Sequence, residues 1–382
     1  KAKTLKIPAG CPYFQCEKLL RDNNGTALSS NYELYGDMSK RVMQILAQSA
    51  PAIEQYSIDE AFLDLGQCHI RDARAYLADV KRRVWTQTGI PVSAGVSLTK
   101  TLAKVANRTA KTSGQGVSVL LDRVQVDQVL SALPVEDVWG IGYRTGSRLA
   151  ALGIRTALDF AERPAAWVRK TLGVCGERTA RELRGEACIE LADLRPKRKS
   201  VACSRSFGQA VSSFSDLRRA LAGHLATAAA KMRSGRLAAG EVSVYLATDR
   251  YADGPQQAEY VSCTLPQESG YTPELMQAAT QCLARLYRHG FRYRKLGVVL
   301  SSLCPVDAVQ PCLFQKQDSR KDVLMTVMDR INARHGRNAL SMACWIGDKQ
   351  YAMRREKLSP RYTTCWDEIP VAMAVDHAGD LR

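Results

Sequence analysis

Two adjacent carboxylates, Asp59 and Glu60, sit in the run Tyr56-Ser57-Ile58-Asp59-Glu60-Ala61-Phe62, with apolar residues on both sides. Burying paired negative charge is costly unless a cation neutralises it. Hard divalent cations such as Mg2+ prefer carboxylate oxygens, and a Mg2+ site commonly takes one or two protein carboxylates, with phosphate and water oxygens completing it. The pair is a candidate phosphoryl-transfer metal site. On these residues alone the plainer reading, an acidic dipeptide in an exposed turn, stays open. Neighbours on a regular strand face opposite sides of a sheet, so both carboxylates can serve one centre only at a bend, and a turn or bulge is expected there. Ser57 could hydrogen-bond a carboxylate or cap a strand end. Tyr32 and Tyr35 read as core or lining residues, and the five histidines are too scattered to form a ligand cluster.

A second constellation is the turn Val138-Trp139-Gly140-Ile141-Gly142-Tyr143-Arg144, followed by Leu149 and Leu152-Gly153-Ile154. This is a helix-hairpin-helix pattern. Its glycines let bare backbone approach a duplex, where amides opening the next helix can bind phosphate, so Gly140, Ile141, Gly142 and Arg144 are candidate DNA contacts. Positions 192 to 240 carry ten Lys/Arg against two acids, among them Lys197, Arg198, Lys199 and Arg205. A charge run is often only a solvated face, but at a linker between domains these four are candidate phosphate contacts.

The elements that must carry these residues follow from periodicity. A helix is expected from Tyr32 to about Gln48, a strand-like run over 53–64, a helix over 72–87 and a strand over 90–98, giving an α+β domain that ends near Leu120. Short helices follow to 190. Beyond a basic, Pro-containing linker, strands at 200–209, 241–248, 258–265 and 294–302 and helices at 214–234 and 272–288 give the order βαββαβ, a small α/β sandwich. A helical piece at 320–334 and a Pro-punctuated tail complete the chain. The first residues, Lys1 to Ile7, read like the interior of a helix, and with no opening Met the true amino terminus is expected to lie upstream.

The 382 residues allow two to four domains, and 46% hydrophobic with 24% charged residues is ordinary globular composition. Lys and Arg number 54 against 38 acids, a formal charge of +16 that favours polyanionic partners, nucleic acid first. No apolar run approaches the length of a membrane span and no signal-peptide pattern opens the chain, so no membrane association is expected. Twelve cysteines without a C-x-x-C pair argue against zinc and for reduced thiols, hence a cytoplasmic location.

With the Ser57–Phe62 run, then Ala94-Gly95-Val96-Ser97, Lys100-Thr101-Leu102-Ala103-Lys104-Val105-Ala106 and the Gly140-Ile141-Gly142 turn in this order, the chain resembles the Y-family, or translesion, DNA polymerases. Ser29-Ser30-Asn31-Tyr32-Glu33-Leu34-Tyr35 and Leu358-Ser359-Pro360-Arg361-Tyr362-Thr363-Thr364 are similar to the UmuC-type branch, the catalytic subunits of bacterial DNA polymerase V and their plasmid-borne relatives. The resemblance implies an α+β multidomain fold: a remnant of the fingers (1–31), a palm (32–122), a helix-hairpin-helix thumb (123–191), a basic linker (192–199), a βαββαβ little finger (200–303) and a carboxy-terminal tail (304–382).

It further implies that Asp59 and Glu60 hold catalytic Mg2+ beside a primer 3'-hydroxyl, that Lys111 binds the dNTP triphosphate, and that Lys3 does so too. Gln310-Pro311-Cys312-Leu313-Phe314 resembles the peptide by which bacterial polymerases dock on the beta sliding clamp, with Gln310, Leu313 and Phe314 as its anchors. A UmuD-type dimer and a RecA filament are implied partners beside primer-template DNA. The implied activity is error-prone translesion synthesis in the SOS response to DNA damage by two-metal phosphoryl transfer. Family members carry a further metal-binding aspartate on a strand that would lie upstream of Lys1. The alternative is therefore a catalytically incomplete DNA- and clamp-binding fragment, and a nuclease or glycosylase using the same hairpin is a weaker third reading.

Overall fold

In the computed structural model the periodic segments gather into two units, Lys1–Arg195 together with Lys357–Arg382, and Pro196–Glu356. The described residues are 2, 4–8, 10–191, 198–310, 318, 320–336, 339–343 and 357–371. The tail expected as one piece from 304 to 382 is divided. Its last part returns to the first unit, where the Ser29 amide donates to the Lys357 carbonyl at 2.6 Å.

The described residues before Pro8 form turns rather than the expected helix: Lys6 has φ +56°, and a proline biases the residue before it away from helical geometry. The first helix is α1 (Tyr13–Asp22). α2 (Tyr32–Ala47) starts where Asn31 Oδ1 accepts the Leu34 amide, and it buries Val42 and Ile45 against Val84. The strand-like run over 53–64 is a hairpin of β1 (Ala52–Gln55) and β2 (Ala61–Asp64), antiparallel with Gln55 opposite Ala61, with the expected turn between them. α3 (Ala73–Thr88) follows, capped by Asp72. β3 (Ala94–Ser97) and β4 (Val117–Leu120) pair in parallel, with α4 (Lys100–Thr112) as the crossover. Gly95 fixes how closely that helix lies on its strand, because a Cβ there would fall 2.1 Å from the Asn107 amide.

α5 (Arg123–Ala132), α6 (Tyr143–Ala151), α7 (Ala157–Ala161) and α8 (Ala165–Leu183), kinked at Gly173, follow in the first unit. Leu130, Leu149, Ile154, Phe160 and Leu183 from this helical part join Leu102, Val105 and Ala106 of α4 in one core. The segments read as palm and thumb therefore share buried side chains.

The second unit alternates as the sequence predicts: β5 (Val201–Val211), α9 (Phe214–Arg233), β6 (Leu237–Thr248), β7 (Ala258–Ser269), α10 (Thr272–Leu286) and β8 (Tyr293–Pro305). The strands pair antiparallel in the order β5-β8-β6-β7. Strand side chains alternate between faces. Val242, Val244, Leu246, Leu296, Val298 and Leu300 turn to the core shared with α9 and α10. The opposite face is small and polar: Ser204, Gly297, Tyr245 and Tyr260 lie in one row, and Ser206, Lys295, Ala247 and Ala258 in the next. α11 (Arg320–His335) packs Met325 and Met328 inward, and its Asp329 takes both Nε and Nη2 of Arg233 at 2.7 Å.

Candidate active site

The β1–β2 hairpin exists because the Tyr56 and Ser57 amides both donate to the Glu60 carbonyl at 3.0 Å, turning the chain between two short strands. Asp59 and Glu60 occupy the tip, so the bend that strand geometry demands is present. Asp59 is exposed and Glu60 half-buried. The exposed-turn reading and the metal-site reading thus describe the same place. Ser57, left open by the sequence, serves the carboxylate: its Oγ donates to Asp59 Oδ1 at 2.6 Å and accepts the Asp59 amide at 3.2 Å. From below, Ser39 Oγ of α2 donates to the Ile58 carbonyl.

α4 supplies the counter-charge. Lys104 Nζ lies 2.9 Å from Glu60 Oε2 and 4.5 Å from the Tyr56 ring centre, a geometry suited to cation–π attraction. Lys100, 9% exposed, pairs with Glu54 Oε2 at 2.6 Å, donates to the Glu190 carbonyl at 3.3 Å and lies 4.7 Å from the Phe62 ring centre. Lys111 is exposed in the last turn of the same helix. At 100° per residue, positions 100, 104 and 111 fall on one face, so the helix presents a line of ammonium groups running from the carboxylate turn outward.

Trp139 closes the other side. Its Nε1 donates to Tyr56 Oη at 3.0 Å, and its ring lies 5.5 Å from Tyr56 and 5.6 Å from Phe62. Tyr56, Phe62 and Trp139 box the Lys104 ammonium. Trp139 directly precedes the glycine turn, in which Gly140 has φ +89°, Gly142 caps α6, and Tyr143 and Arg144 are exposed while Ile141 is buried. α6 thus starts at an exposed glycine turn, a kind of helix start that can bind phosphate.

Sequence reasoning missed Lys104, Lys100 and Trp139 as neighbours of the carboxylate hairpin. The spacing of the three lysines on one helical face was an available signal for the first two. Nothing in the local sequence foretold Trp139 reaching Tyr56. Tyr32 and Tyr35, read as core or lining residues, are exposed and meet edge to face at 6.5 Å. They sit in the first turn of α2.

The remaining candidates lie elsewhere. Arg198 and Lys199 are exposed. Arg205 stands on edge strand β5 opposite Leu296, on the helix side of the sheet, and donates to the Ser204 carbonyl. The open face carries Lys295, 5.7 Å from the Tyr245 ring centre. The Gln310 carbonyl accepts from Gln267 Nε2 at 3.1 Å. Lys3, Lys197, Leu313 and Phe314 lie outside the described residues.

Two carboxylates on one turn, Asp59 exposed and Glu60 half-buried, are a donor set that fits Mg2+. Among the described residues, no three or more His, Cys, Asp or Glu gather as a metal cluster, and no helix is long and apolar enough to cross a membrane.

Comparison with known proteins bears on the whole chain. The impB/mucB/samB family matches residues 1–108, its helix-hairpin-helix motif 125–154 and its C-terminal domain 198–313, while a domain of unknown function matches 322–372. UmuC of Salmonella typhimurium is 39% identical over 376 residues, covering 97% of this chain and 89% of that protein. MucB of Escherichia coli is 39% identical over 377 residues with the same coverage. DNA polymerase IV of Brucella melitensis is 27% identical over 338 residues, 87% of this chain and 73% of that protein. A Y-family DNA polymerase chimera built on Dbh superposes with TM-score 0.66 at 19% identity, over 79% of this chain and 85% of the other. An insertion ternary complex of Dbh DNA polymerase gives 0.50 at 19% identity, over 78% and 84%. With this fold, and with identity to UmuC and MucB running through nearly its full length, the chain belongs to the impB/mucB/samB family and has the Y-family polymerase architecture of palm, helix-hairpin-helix thumb and little finger.

Proposed function

We propose that the chain is a template-directed DNA polymerase of the translesion class, adding dNTPs to a primer 3'-hydroxyl, in the bacterial response to DNA damage. The observation that carries this reading is the carboxylate turn with its lysine line: Asp59 and Glu60 at a hairpin tip, with Lys104 against Glu60 and Lys111 farther along the same helix face. Related proteins named UmuC and DNA polymerase IV support it.

Asp59 and Glu60 would hold Mg2+, which supplies charge to activate the attacking oxygen and neutralise the leaving one. Ser57 holds the Asp59 carboxylate in one orientation. Lys104 fixes Glu60 and keeps the turn neutral enough to persist beside anionic substrates. Lys111 offsets charge that grows on the departing pyrophosphate, and its effect is largest in the transition state. The amides and Arg144 after Gly142 hold the duplex backbone, and Arg198 and Lys199 add sequence-independent attraction to phosphate.

The little finger's open face, with Lys295 and two tyrosines among small residues, suits a backbone pressed close to the sheet. Gln310 with Leu313 and Phe314 is the proposed anchor for a beta sliding clamp, and a UmuD-type dimer and a RecA filament are proposed further partners. The ten cysteines among the described residues are free thiols, which suits work in the cytoplasm.

Primer extension on a primed template tests the reading. Mg2+-dependent incorporation that Asp59→Asn abolishes is the expected result. DNA binding with a steep salt dependence but no incorporation would instead identify a DNA- and clamp-binding protein without chemistry.

A further inference from the structure

We propose that residues 357–371 form a strap that ties the second unit back to the first, with Asn31 as its clasp. Asn31 is 1% exposed although it is an amide in an irregular segment. Its Nδ2 donates to the Ser359 carbonyl at 3.0 Å and Ser359 Oγ at 3.1 Å and reaches the Pro360 carbonyl at 3.3 Å, while its Oδ1 caps α2 at the Leu34 amide. Beside it, the Ser29 amide donates to the Lys357 carbonyl at 2.6 Å and Ser29 bridges in parallel with Leu358. Arg361 Nε donates to Glu368 Oε1 at 2.9 Å and closes the strap on itself. A buried amide satisfied at both ends is costly to unseat, because each abandoned donor or acceptor keeps its desolvation penalty.

The other end of the tail is fixed to the second unit. α11 is anchored there by Arg233 on Asp329 and by Lys321 Nζ on Glu274 Oε1 at 2.6 Å. The match to the domain of unknown function, 322–372, spans both the helix and the strap. Its described parts thus grip different units. The second unit becomes an insertion in the chain between Arg195 and Lys357, with the strap fixing the later return to the first unit. Closing such a loop removes conformations available to a domain on a single linker and raises the effective concentration of each unit near the other. A little finger that lets go of DNA is then recaptured sooner. This consequence for synthesis rests on the polymerase reading; the clasp itself does not.

The test uses the full-length protein with a protease site introduced between 344 and 350. After cleavage, the carboxy-terminal fragment should elute with the rest of the chain in size-exclusion chromatography. Asn31→Asp keeps an acceptor for the Leu34 amide but replaces the Nδ2 donor with an anionic oxygen, and it should release the fragment at least tenfold faster. Ser359→Ala, which leaves two carbonyl acceptors, should fall between, and it carries the comparison if Asn31→Asp does not fold. On a primed template with trap DNA, cleavage should shorten the product made per binding event several-fold at an unchanged rate of single-nucleotide insertion. Loss of the fragment from the cut wild-type chain on the first pass, equal retention across the variants, or identical product lengths before and after cutting overturns the proposal. Should Asp59→Asn still extend primers, the polymerase assignment fails, while fragment retention still decides the strap.

Discussion

Glu182 Oε2 accepts both the amide of Thr101, at 2.9 Å, and its hydroxyl, at 2.8 Å, joining the last turn of α8 to the first turn of α4. The other oxygen takes the Cys188 and Ile189 amides at 3.2 and 3.0 Å, and the Glu182 carbonyl accepts from Thr99 Oγ1. No part of Glu182 is exposed. With no cation on it among the described residues, this buried carboxylate is tolerable because four donors, two of them at a helix start, replace its water. The same 188–190 segment presents the Glu190 carbonyl to Lys100, the partner of Glu54 on β1. Glu182 thereby braces the end of α8, the 188–190 segment and the start of α4, from which Lys100 reaches the carboxylate hairpin.

Glu182→Gln turns an amide NH2 toward amide donors and should destabilise the first unit by about 3 kcal/mol, the scale of leaving buried donors unmatched. Denaturant unfolding of the variant checks this. A loss below about 1 kcal/mol would show that the brace is not under strain of desolvation.

Trp139 and Tyr56 offer a cleaner measurement, since each of Trp139→Phe and Tyr56→Phe deletes the same hydrogen bond and keeps most of the ring packing. A double-mutant cycle should give a coupling of about 1 kcal/mol in stability. Each single variant should also lower kcat for primer extension several-fold with little change in the KM for dNTP, because the box braces the turn rather than the triphosphate. Additive effects would mean that the bond does not form in solution.

Lys111→Ala should raise the KM for dNTP about tenfold and also slow incorporation, because the ammonium matters most as charge develops on pyrophosphate. Lys111→Arg should recover part of the loss. Steady-state kinetics over a dNTP series decides, and unchanged constants would return Lys111 to the ordinary solvated surface.

His224 makes the second unit sensitive to acid. Burial in α9 pushes its imidazole down to about 4 from the usual 6.5, and the Arg205 guanidinium adds to the effect; its Nδ1 is buried without a hydrogen-bond partner. The folded state prefers neutral His224. Its contribution is fully present above the unfolded value near 6.5, declines as pH falls below that value because the unfolded chain gains the proton first, and is lost by about pH 4. The span corresponds to about 3 kcal/mol at most. Thermal unfolding of the second unit should lose stability between pH 6.5 and 4, and His224→Phe should flatten that slope. An unaltered slope in the variant would place the acid sensitivity elsewhere.

Much of the architecture was legible because it depends on local patterns. The βαββαβ order followed from alternation within strands and 3.6-residue spacing in helices, and the bend at Asp59 and Glu60 followed from the two-residue period of a strand. Boundaries slipped where a local feature overrode the pattern: Pro8 and the left-handed Lys6 stop the opening helix. Charge alone did not give the face on which Arg205 stands. Register with Leu296 sets it on the helix side of the sheet beside His224, and Lys295 lies on the open face.

By itself the sequence determined what lies close along the chain: which segments are helices and strands, that two acids meet at a turn, that a glycine hairpin follows, and that the protein is strongly basic. Only the tertiary structure decided which distant groups meet: Lys104 at Glu60, Trp139 at Tyr56, Thr101 at Glu182, Asn31 at Ser359. Backbone periodicity and turn chemistry act over a few residues and leave a mark in each local window. Ion pairs, ring contacts and buried amides join residues separated by tens to hundreds of positions, and their partners are set by how whole elements pack.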